Sequence, residues 1–340
     1  MSQPPEPDPE AARRARRVLA LAAALVLAAQ LGVGVALDRA PLAVRFADAD
    51  RVLAAARAQT PAPEVVLLGS SRFENALDPR LVEAALRERL GARAPSVASL
   101  AVDGGDLVAS ERILGDLLAS GVHPRLAVVE LTPEWLRRPV PFLNAQLVRA
   151  FDWDDVWHWL PELAAETRGT LVRARLFPVY HYRLELLGWW VGRPPPYLAA
   201  PRAGLAPAKR RAPDDPAAGA PRWARRLAHY SVSERAEATL ARLLASCRAA
   251  GVECVLLLPP ASSAQRALYG ARIDDAWEGA LLRAADGRAL AVVDHRERLP
   301  DAEFRDSSHA NRAGRERYSR IVSDELLAPR YTGSNTNASP

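Results

Sequence analysis

The stretch EVVLLGSSRFENALDP, residues 64–79, decides how the rest of this chain is interpreted. Four consecutive apolar residues, Val65 to Leu68, run directly into a glycine and two serines. A short, uninterrupted apolar run bounded by a turn signal is typical of a strand that is buried on both faces. Ser70 and Ser71 therefore follow the carboxyl end of a buried strand. A serine in that place either caps the next helix or acts as a nucleophile.

The same pattern recurs along the chain and predicts an α/β fold. The predicted strands are 65–69, 96–102, 126–131, 254–260 and 290–295. Amphipathic segments at 78–91, 106–121, 231–251, 273–287 and 311–327 carry apolar residues three and four apart, and Ser231 with Glu234 forms a predicted capping box. This alternation predicts a five-stranded parallel sheet with helices on both faces, a three-layer α/β/α arrangement. Ligands of such sheets bind outside the carboxyl ends of the strands.

Composition excludes several classes of function. The chain has 340 residues and 49% hydrophobic content, which is enough for a packed core, and its net charge is only +5. No basic stripe with interleaved aromatic residues is present, so we predict no nucleic-acid partner. The two cysteines, Cys247 and Cys254, lack a CxxC spacing and a nearby pair of histidines, so we expect no metal and no cofactor. The sequence leaves open whether these cysteines pair.

The N-terminal region predicts a membrane anchor. The span from Val18 to Leu37 has 20 residues without a charge, and an arginine cluster (Arg13, Arg14, Arg16 and Arg17) precedes it. This length matches the hydrocarbon core of a bilayer, and the arginines favour a cytoplasmic position for residues 1–17. We therefore expect a single-pass protein of the cell membrane with its C-terminal domain outside. A cleaved signal peptide, with its site at Gly34-Val35-Ala36, is the alternative, and it exports the same domain.

The alternation of predicted strands and helices stops after the third predicted strand. Residues 133–230 contain no convincing strand, many prolines and seven of the eight tryptophans. We interpret them as an insert that divides the fold into parts at 46–132 and 231–328, followed by a disordered tail at 329–340. Clustered tryptophans stack on sugars, rest at membrane interfaces or pack a small module. The candidates for substrate binding are Trp157, Trp159, Trp189 and Trp190.

A second chemically suggestive stretch, FRDSSHANRAG, begins at residue 304. Asp306 and His309 lie three residues apart on a predicted loop after the last strand, at the same sheet edge as Ser71. A serine hydroxyl needs an imidazole to take its proton, and the imidazole needs a carboxylate to fix its tautomer. The spacing allows Asp306 to reach the Nδ1 side of His309 while Nε2 faces the serine. We expect the three residues to act together.

The two stretches resemble blocks one and five of the SGNH (GDSL-type) hydrolase superfamily, particularly its membrane-anchored bacterial members that act on extracytoplasmic polymers. The resemblance covers about 64–131 and 252–327 and implies a flavodoxin-like fold. It implies that Ser71 is the nucleophile, that Ser70 occupies the motif's aspartate position, and that Asp306 and His309 complete the triad. The second block resembles LAVDGGDL, which implies an oxyanion-hole glycine at Gly104, with Gly105 as the neighbouring choice.

The third block of the family departs from the pattern. Pro133 stands where that block has an asparagine, so one donor of the oxyanion hole is missing or is supplied by another residue such as Asn144. Loss of one such donor costs about 100- to 1000-fold in rate. Arg72, directly after the proposed nucleophile, is a candidate to hold a substrate anion.

Two classes of function fit these observations. The first is an extracytoplasmic serine esterase or O-acyltransferase that acts through an acyl-serine on a cell-envelope polysaccharide or related glycan. A membrane-bound O-acyltransferase is a candidate partner that would donate the acyl group. The second is an inactive protein of the same fold that binds or assembles envelope polymer. Loss of Ser71, Asp306 or His309 would abolish the first function and spare the second.

Overall fold

Five parallel strands form a single sheet at the centre of the protein. The computed structural model describes residues 9–39, 44–138, 150–163, 165–191 and 214–332. The strands are β1 (Val65–Leu68), β2 (Val97–Ser99), β3 (Leu126–Glu130), β4 (Glu253–Leu258) and β5 (Ala291–Asp294), in the order β2-β1-β3-β4-β5. All four neighbouring pairs are parallel. This order is flavodoxin-like, and the predicted α/β/α fold is confirmed.

The described helices are α1 (Pro9–Arg39), α2 (Ala47–Ala58), α3 (Ser71–Ala76), α4 (Pro79–Leu90), α5 (Leu107–Ala119), α6 (Trp153–Trp159), α7 (Ala165–Leu176), α8 (Pro178–His181), α9 (Arg183–Trp190), α10 (Ala220–Leu227), α11 (Glu234–Ala249), α12 (Ser263–Arg266), α13 (Ala271–Ala285), α14 (Arg312–Ile321) and α15 (Ala328–Thr332). A π-helical segment, Val322–Leu327, joins α14 to α15. Short 3-10 turns lie at Gly91–Arg93, Pro133–Leu136, Leu160–Glu162 and Asp301–Glu303.

The apolar run of β1 is buried on both faces, as its composition predicts. Val66 and Leu68 pack with α2, α5, α11 and α13 on one side of the sheet. Val65 and Leu67 pack with α4, α14 and the π-helical segment on the other side. Alternate side chains of a strand point to opposite faces, so a central strand covered twice has no polar face. Each of these side chains contributes roughly 1.5–3 kcal/mol by leaving water.

The strand order places a crevice above β1 and β3. The chain leaves β1 for β2 on one side and then returns to β3 on the other side, so β1 and β3 flank the topological switch point. Gly69, at the end of β1, has no room for a side chain. A Cβ there would lie 2.6 Å from Glu130 Oε2 and 2.9 Å from the ring of Phe73. Glycine therefore lets the turn with Ser70 and Ser71 approach the end of β3.

Two helix boundaries differ from the sequence predictions, and the structure answers the open question of the two cysteines. Ser233, and not Ser231, caps α11, because its hydroxyl accepts the Ala236 N–H at 3.1 Å. The last helix continues to Thr332 with Tyr331 buried, so the tail predicted from 329 begins too early. Residues 333–340 and 1–8 lie outside the described residues. Cys247 and Cys254 are both free thiols.

Helix α1 is long and apolar enough to cross a membrane. It contains 31 residues, and its most apolar 18-residue window has a mean hydropathy of 2.3 with none of that window buried in the protein. At 1.5 Å per residue a helix of this length spans about 46 Å. It extends beyond the predicted span from Val18 to Leu37 at both ends.

Candidate active site

Ser71, His309 and Asp306 meet at the carboxyl edge of the sheet. Ser71 Oγ lies 2.8 Å from His309 Nε2, although 238 residues separate the two in sequence. His309 Nδ1 lies 2.9 Å from both carboxylate oxygens of Asp306. A carboxylate can only accept, so Nδ1 carries the proton and Nε2 is free to accept the Ser71 hydroxyl proton. The structure thus brings together the three residues that the sequence analysis singled out.

The loop that carries Asp306 and His309 is held by backbone hydrogen bonds. The Arg305 N–H donates to the His309 carbonyl at 2.8 Å, which closes the loop on itself. The Ser307 N–H donates to the Ala218 carbonyl at 2.9 Å, and the Ser262 N–H donates to the Ser307 carbonyl at 3.2 Å. The turn before α10 and the start of α12 therefore clamp the loop from two sides. This clamp fixes the imidazole relative to the sheet.

Asp306 is held as a carboxylate by its surroundings. Burial raises the pKa of Asp306, but the hydrogen bond and positive charge of His309 and the N–H groups of Ser308 and His309 lower the pKa well below its usual range. The two N–H groups donate to Asp306 Oδ1 at 3.0 and 2.9 Å. A carboxylate that stays ionised at every working pH can steady the imidazolium that forms during catalysis.

Ser70 has a different role from its neighbour. Its hydroxyl donates to Glu130 at 2.9 and 3.0 Å, and its N–H donates to Glu130 Oε2 at 2.8 Å. The same hydroxyl accepts the Arg72 N–H at 3.1 Å and so caps α3. Ser70 is buried between the strand ends, and Ser71 is the hydroxyl that faces the histidine. Burial raises the pKa of Glu130 to about 7, against the charge of Arg72 and the Ser70 donors.

Arg72 is enclosed behind the nucleophile. Its Nη2 donates to Glu134 Oε1 at 2.9 Å, and its guanidinium lies 5.4 Å from the ring centre of Trp223. Only 7% of Arg72 is exposed. The hypothesis that Arg72 binds a substrate anion is therefore wrong, because this cation is buried and paired. Burial lowers the pKa of Arg72, but the charge of Glu134 outweighs it and raises the pKa.

Glu134 connects the nucleophile turn to the histidine loop. Gln265 Nε2 and the Tyr269 hydroxyl also donate to its Oε1, at 2.8 and 2.7 Å. Gln265 Oε1 in turn accepts the Ser307 hydroxyl at 3.2 Å, next to Asp306. A chain of buried hydrogen bonds therefore joins Arg72 to the residue beside the triad carboxylate.

The glycine turn after β2 packs directly on the end of β1. The Val102 N–H donates to the Gly69 carbonyl at 3.0 Å, and a Cβ on Gly105 would lie 2.7 Å from that carbonyl oxygen. Gly104 has a φ of 63°, in the left-handed region that favours glycine. The Gly105 N–H already donates to the Val102 carbonyl at 2.8 Å. Of the two predicted oxyanion donors, Gly104 is therefore the one that remains a candidate.

Other sequence candidates lie elsewhere or outside the described residues. Trp159 is 2% exposed in the main core, so the prediction that it contacts substrate is wrong. Trp157 projects from α6, and Trp189 and Trp190 project from α9, all largely exposed. Asn144 lies outside the described residues, as does the rest of 139–149.

Five groups behind the triad were not predicted from the sequence: the buried Glu130, Glu134, Gln265 and Trp223, and the partly buried Tyr269. Only Glu130 carried a local signal, since an acidic residue at the end of the apolar run LAVVE is unusual for a buried strand. Glu134 sits next to Pro133, where the resemblance leads one to expect a side-chain donor.

Asp106 provides a test of electrostatics at this edge of the sheet. It is 1% exposed and caps α5 by accepting the Ala109 N–H at 3.0 Å, while its Oδ2 has no hydrogen-bond partner within the described ranges. Burial raises the pKa of Asp106 from 3.8 to about 7, against the N–H groups of Ala109 and Val108. The folded protein therefore holds this proton more tightly than the unfolded chain does. The contribution of this proton to the free energy of unfolding is complete below pH 3.8 and is lost as the pH rises to about 7.

We expect Asp106→Asn to keep the cap, because an amide oxygen also accepts, and to remove the titration. The variant should be more stable than the wild type at pH 8, and its advantage should shrink at pH 5. Thermal unfolding of both proteins across this range measures the difference. A constant difference at all pH values would contradict the raised pKa.

Comparisons with known proteins add little to this geometry. No family model matches the chain, and no curated protein matches it. Among solved structures, the chain is similar to LAE5, an alpha/beta hydrolase enzyme from the metagenome of Lake Arreo, Spain. The identity is 12% and the TM-score 0.37, over 78% of this chain and 96% of that chain. A similarity of this size does not assign the chain to a family, and it says nothing about the side chains at the sheet edge.

Proposed function

We propose that the protein is a serine esterase or O-acyltransferase of the SGNH type that acts through an acyl-serine. The observation that supports this function is the arrangement of Ser71 Oγ at 2.8 Å from His309 Nε2, with Asp306 at 2.9 Å from Nδ1. These distances are those of a nucleophile, a general base and the carboxylate that orients it. They occur at the switch point of a parallel sheet, where ligands bind in such folds.

The proposed reaction has two halves. Ser71 Oγ attacks the acyl carbonyl carbon while His309 Nε2 takes the hydroxyl proton, and Asp306 steadies the resulting imidazolium. The C–O bond to the first alcohol then breaks, His309 returns the proton to that alcohol, and the acyl group remains on Ser71. In the second half, water or a sugar hydroxyl attacks the acyl carbon with His309 again as the base, the bond from that carbon to Ser71 Oγ breaks, and His309 returns the proton to Ser71. Water gives hydrolysis, and a sugar hydroxyl gives acyl transfer.

The oxyanion of each tetrahedral intermediate needs hydrogen-bond donors. The candidates are the N–H of Ser71, which as the first residue of α3 has no acceptor within the helix, and the N–H of Gly104. Pro133 supplies neither an N–H nor a side-chain donor. We therefore expect a slow enzyme, by about 100- to 1000-fold relative to a site with a complete set of donors.

The proposed setting is the outer face of the cell membrane. Helix α1 supports an anchor by its length and apolarity, and the arginines before it favour an outward-facing domain. The proposed substrate is an acylated cell-envelope glycan, and the proposed partner is a membrane-bound O-acyltransferase that donates the acyl group. We also propose that the insert, residues 133–230, is a functional unit distinct from the two parts of the fold that flank it, residues 46–132 and 231–328.

Covalent labelling with a fluorophosphonate tests the proposal. The probe should form one adduct per chain, on Ser71, and Ser71→Ala and His309→Ala should each prevent it. The Arg283→Met variant is a surface control, since the Arg283 side chain is 59% exposed and pairs with Glu237, which is not a residue of the site. Absence of labelling in the wild type under conditions that label other serine hydrolases would favour the alternative, an inactive binding or assembly protein.

A further inference from the structure

We propose that helices α7, α8 and α9, residues 165–191, form a platform that is seated in the outer leaflet of the bilayer beside α1. The protein would then contact the bilayer through two elements, α1 and this juxtamembrane platform, and the platform's partner is lipid. The inference rests on α1 being a membrane span and is independent of the chemistry of Ser71.

The exposed apolar side chains of the protein are concentrated here. Outside α1, the described ranges contain fifteen exposed large apolar residues, and twelve of them lie between 153 and 191. They are Trp153, Trp157, Val172, Leu176, Phe177, Val179, Tyr180, Leu184, Leu187, Trp189, Trp190 and Val191. Trp189 and Trp190 are 71% and 82% exposed. An apolar surface of this extent marks an interaction site and is costly to leave in water.

This surface is continuous with the membrane-facing part of α1. Gln30 is the one polar residue of the span from Val18 to Leu37, and its Oε1 accepts the Val179 N–H at 3.0 Å. A methyl group on Gly34 would lie 3.7 Å from the ring of Pro178. The hydrogen bond satisfies a backbone N–H in the first turn of α8 that has no acceptor within that helix. Unpaired backbone groups are not tolerated in lipid, so this contact lets α8 lie at the depth of Gln30.

The depth of this contact can be estimated from the helix rise. Gln30 precedes Leu37 by seven residues, which places it roughly 10 Å below the outer end of the apolar span. Interfacial helices bury their apolar faces about 5–10 Å into the boundary between headgroups and acyl chains. The start of α8 therefore lies at the depth expected of an element that rests in one leaflet.

A polar cluster and a small core join the platform to the outer end of α1. Asp38 accepts from Arg175 at 2.6 Å and also from Arg45, and both arginines are buried. Leu37 packs with Ala174 and Tyr182. The platform and the anchor are thus one packed unit and not two parts joined by a free linker.

The composition of the platform fits a membrane interface better than a soluble partner. The first 45 residues contain no aromatic residue, so α1 has no aromatic belt of its own at either end. The insert supplies tryptophans and tyrosines beside the outer end. The guanidinium of Arg183 lies 4.4 Å from the ring centre of Tyr180, an arrangement that suits the headgroup region. Arg168, Arg173 and Arg183 supply guanidinium groups that pair with lipid phosphates.

Quenching of tryptophan fluorescence by brominated lipid tests the proposal. The full chain is reconstituted into protein-free phosphatidylcholine vesicles whose acyl chains carry bromine either near the headgroup or near the methyl end. We expect strong quenching, greater for bromine near the headgroup. Because α1 has no tryptophan, its insertion alone does not produce this quenching. Trp189→Phe with Trp190→Phe should remove most of the quenching, since these are the two tryptophans of the platform.

The matched control is Trp277→Phe, which changes a tryptophan that is 5% exposed in the core and should not lower the quenched fraction. Flotation with the vesicles measures the insertion of α1 separately. If the protein floats but its tryptophan fluorescence is quenched by aqueous acrylamide and not by brominated lipid, the proposal is wrong. The exposed apolar surface would then bind a protein or a glycan. Protein that does not float would overturn it as well, because the platform requires the anchor. Neither outcome bears on labelling of Ser71.

Discussion

Replacing Ser71 with alanine is expected to lower esterase activity by about 10⁴- to 10⁶-fold, because removal of the nucleophile from a triad leaves only oxyanion stabilisation and binding. The hydroxyl is 2.8 Å from His309 and makes no contact that holds the fold together in the way that Ser70 does. The variant should therefore fold normally. The measurement is hydrolysis of a small aryl ester, with thermal unfolding as the check on folding.

Ser70→Ala is the matched control for this prediction. It removes the cap of α3 and two hydrogen bonds to Glu130, so we expect a loss of about 1 kcal/mol in the free energy of unfolding. Covalent labelling and most of the activity should remain. Full activity in Ser71→Ala together with loss of activity in Ser70→Ala would reverse the assignment of the nucleophile.

The second large effect is expected in stability. Arg72→Met leaves Glu134 buried without its counter-charge, and breaking a buried pair by removing one partner costs about 3–5 kcal/mol. The variant should also lose activity, since Arg72 directly follows the nucleophile and Glu134 leads through Gln265 to Ser307. Chemical denaturation measures the first effect and the aryl ester assay the second.

Two further variants separate charge from packing. Arg72→Met combined with Glu134→Leu should recover part of the lost stability, because neither charge is then left unpaired. Arg283→Met removes a partner of Glu237 at the surface, where the arginine side chain is 59% exposed, and should cost less than about 1 kcal/mol. Equal losses for Arg72→Met and Arg283→Met would mean that the pair behind the nucleophile is not buried in solution.

Much of the fold and part of the site are local properties of the sequence. The five strands, the helices between them and the positions of Ser71, Asp306 and His309 at strand ends can be predicted from short windows. A parallel sheet brings every strand's carboxyl end to one edge, so residues that follow strands meet there even when 238 positions separate them. The contact between Ser71 and His309 therefore follows from topology once the strands are assigned.

The side-chain contacts around the site cannot be predicted from short windows of sequence. Arg72 and Glu134 pair across 62 residues because β3 lies beside β1 in one register, and no short window contains that information. For this reason Arg72 is a candidate for anion binding by its sequence position, whereas the structure pairs it with Glu134. The cap of α11 shows the same limit on a smaller scale. Ser231 and Ser233 are both serines near the start of the helix, and only the backbone conformation shows that Ser233 is the cap.

The sequence by itself determined the layers, the apolar span before them and the residue types of a triad. Apolar periodicity and the ends of strands are properties of short consecutive segments, so they need no knowledge of the tertiary contacts. Only the tertiary structure decided which polar groups are buried and which aromatic residues are exposed. Trp153, Trp157 and Trp159 belong to one helix of seven residues, about two turns, yet they are 46%, 69% and 2% exposed. Burial depends on what packs against each side chain, and in this insert the main core and helix α1 make that difference.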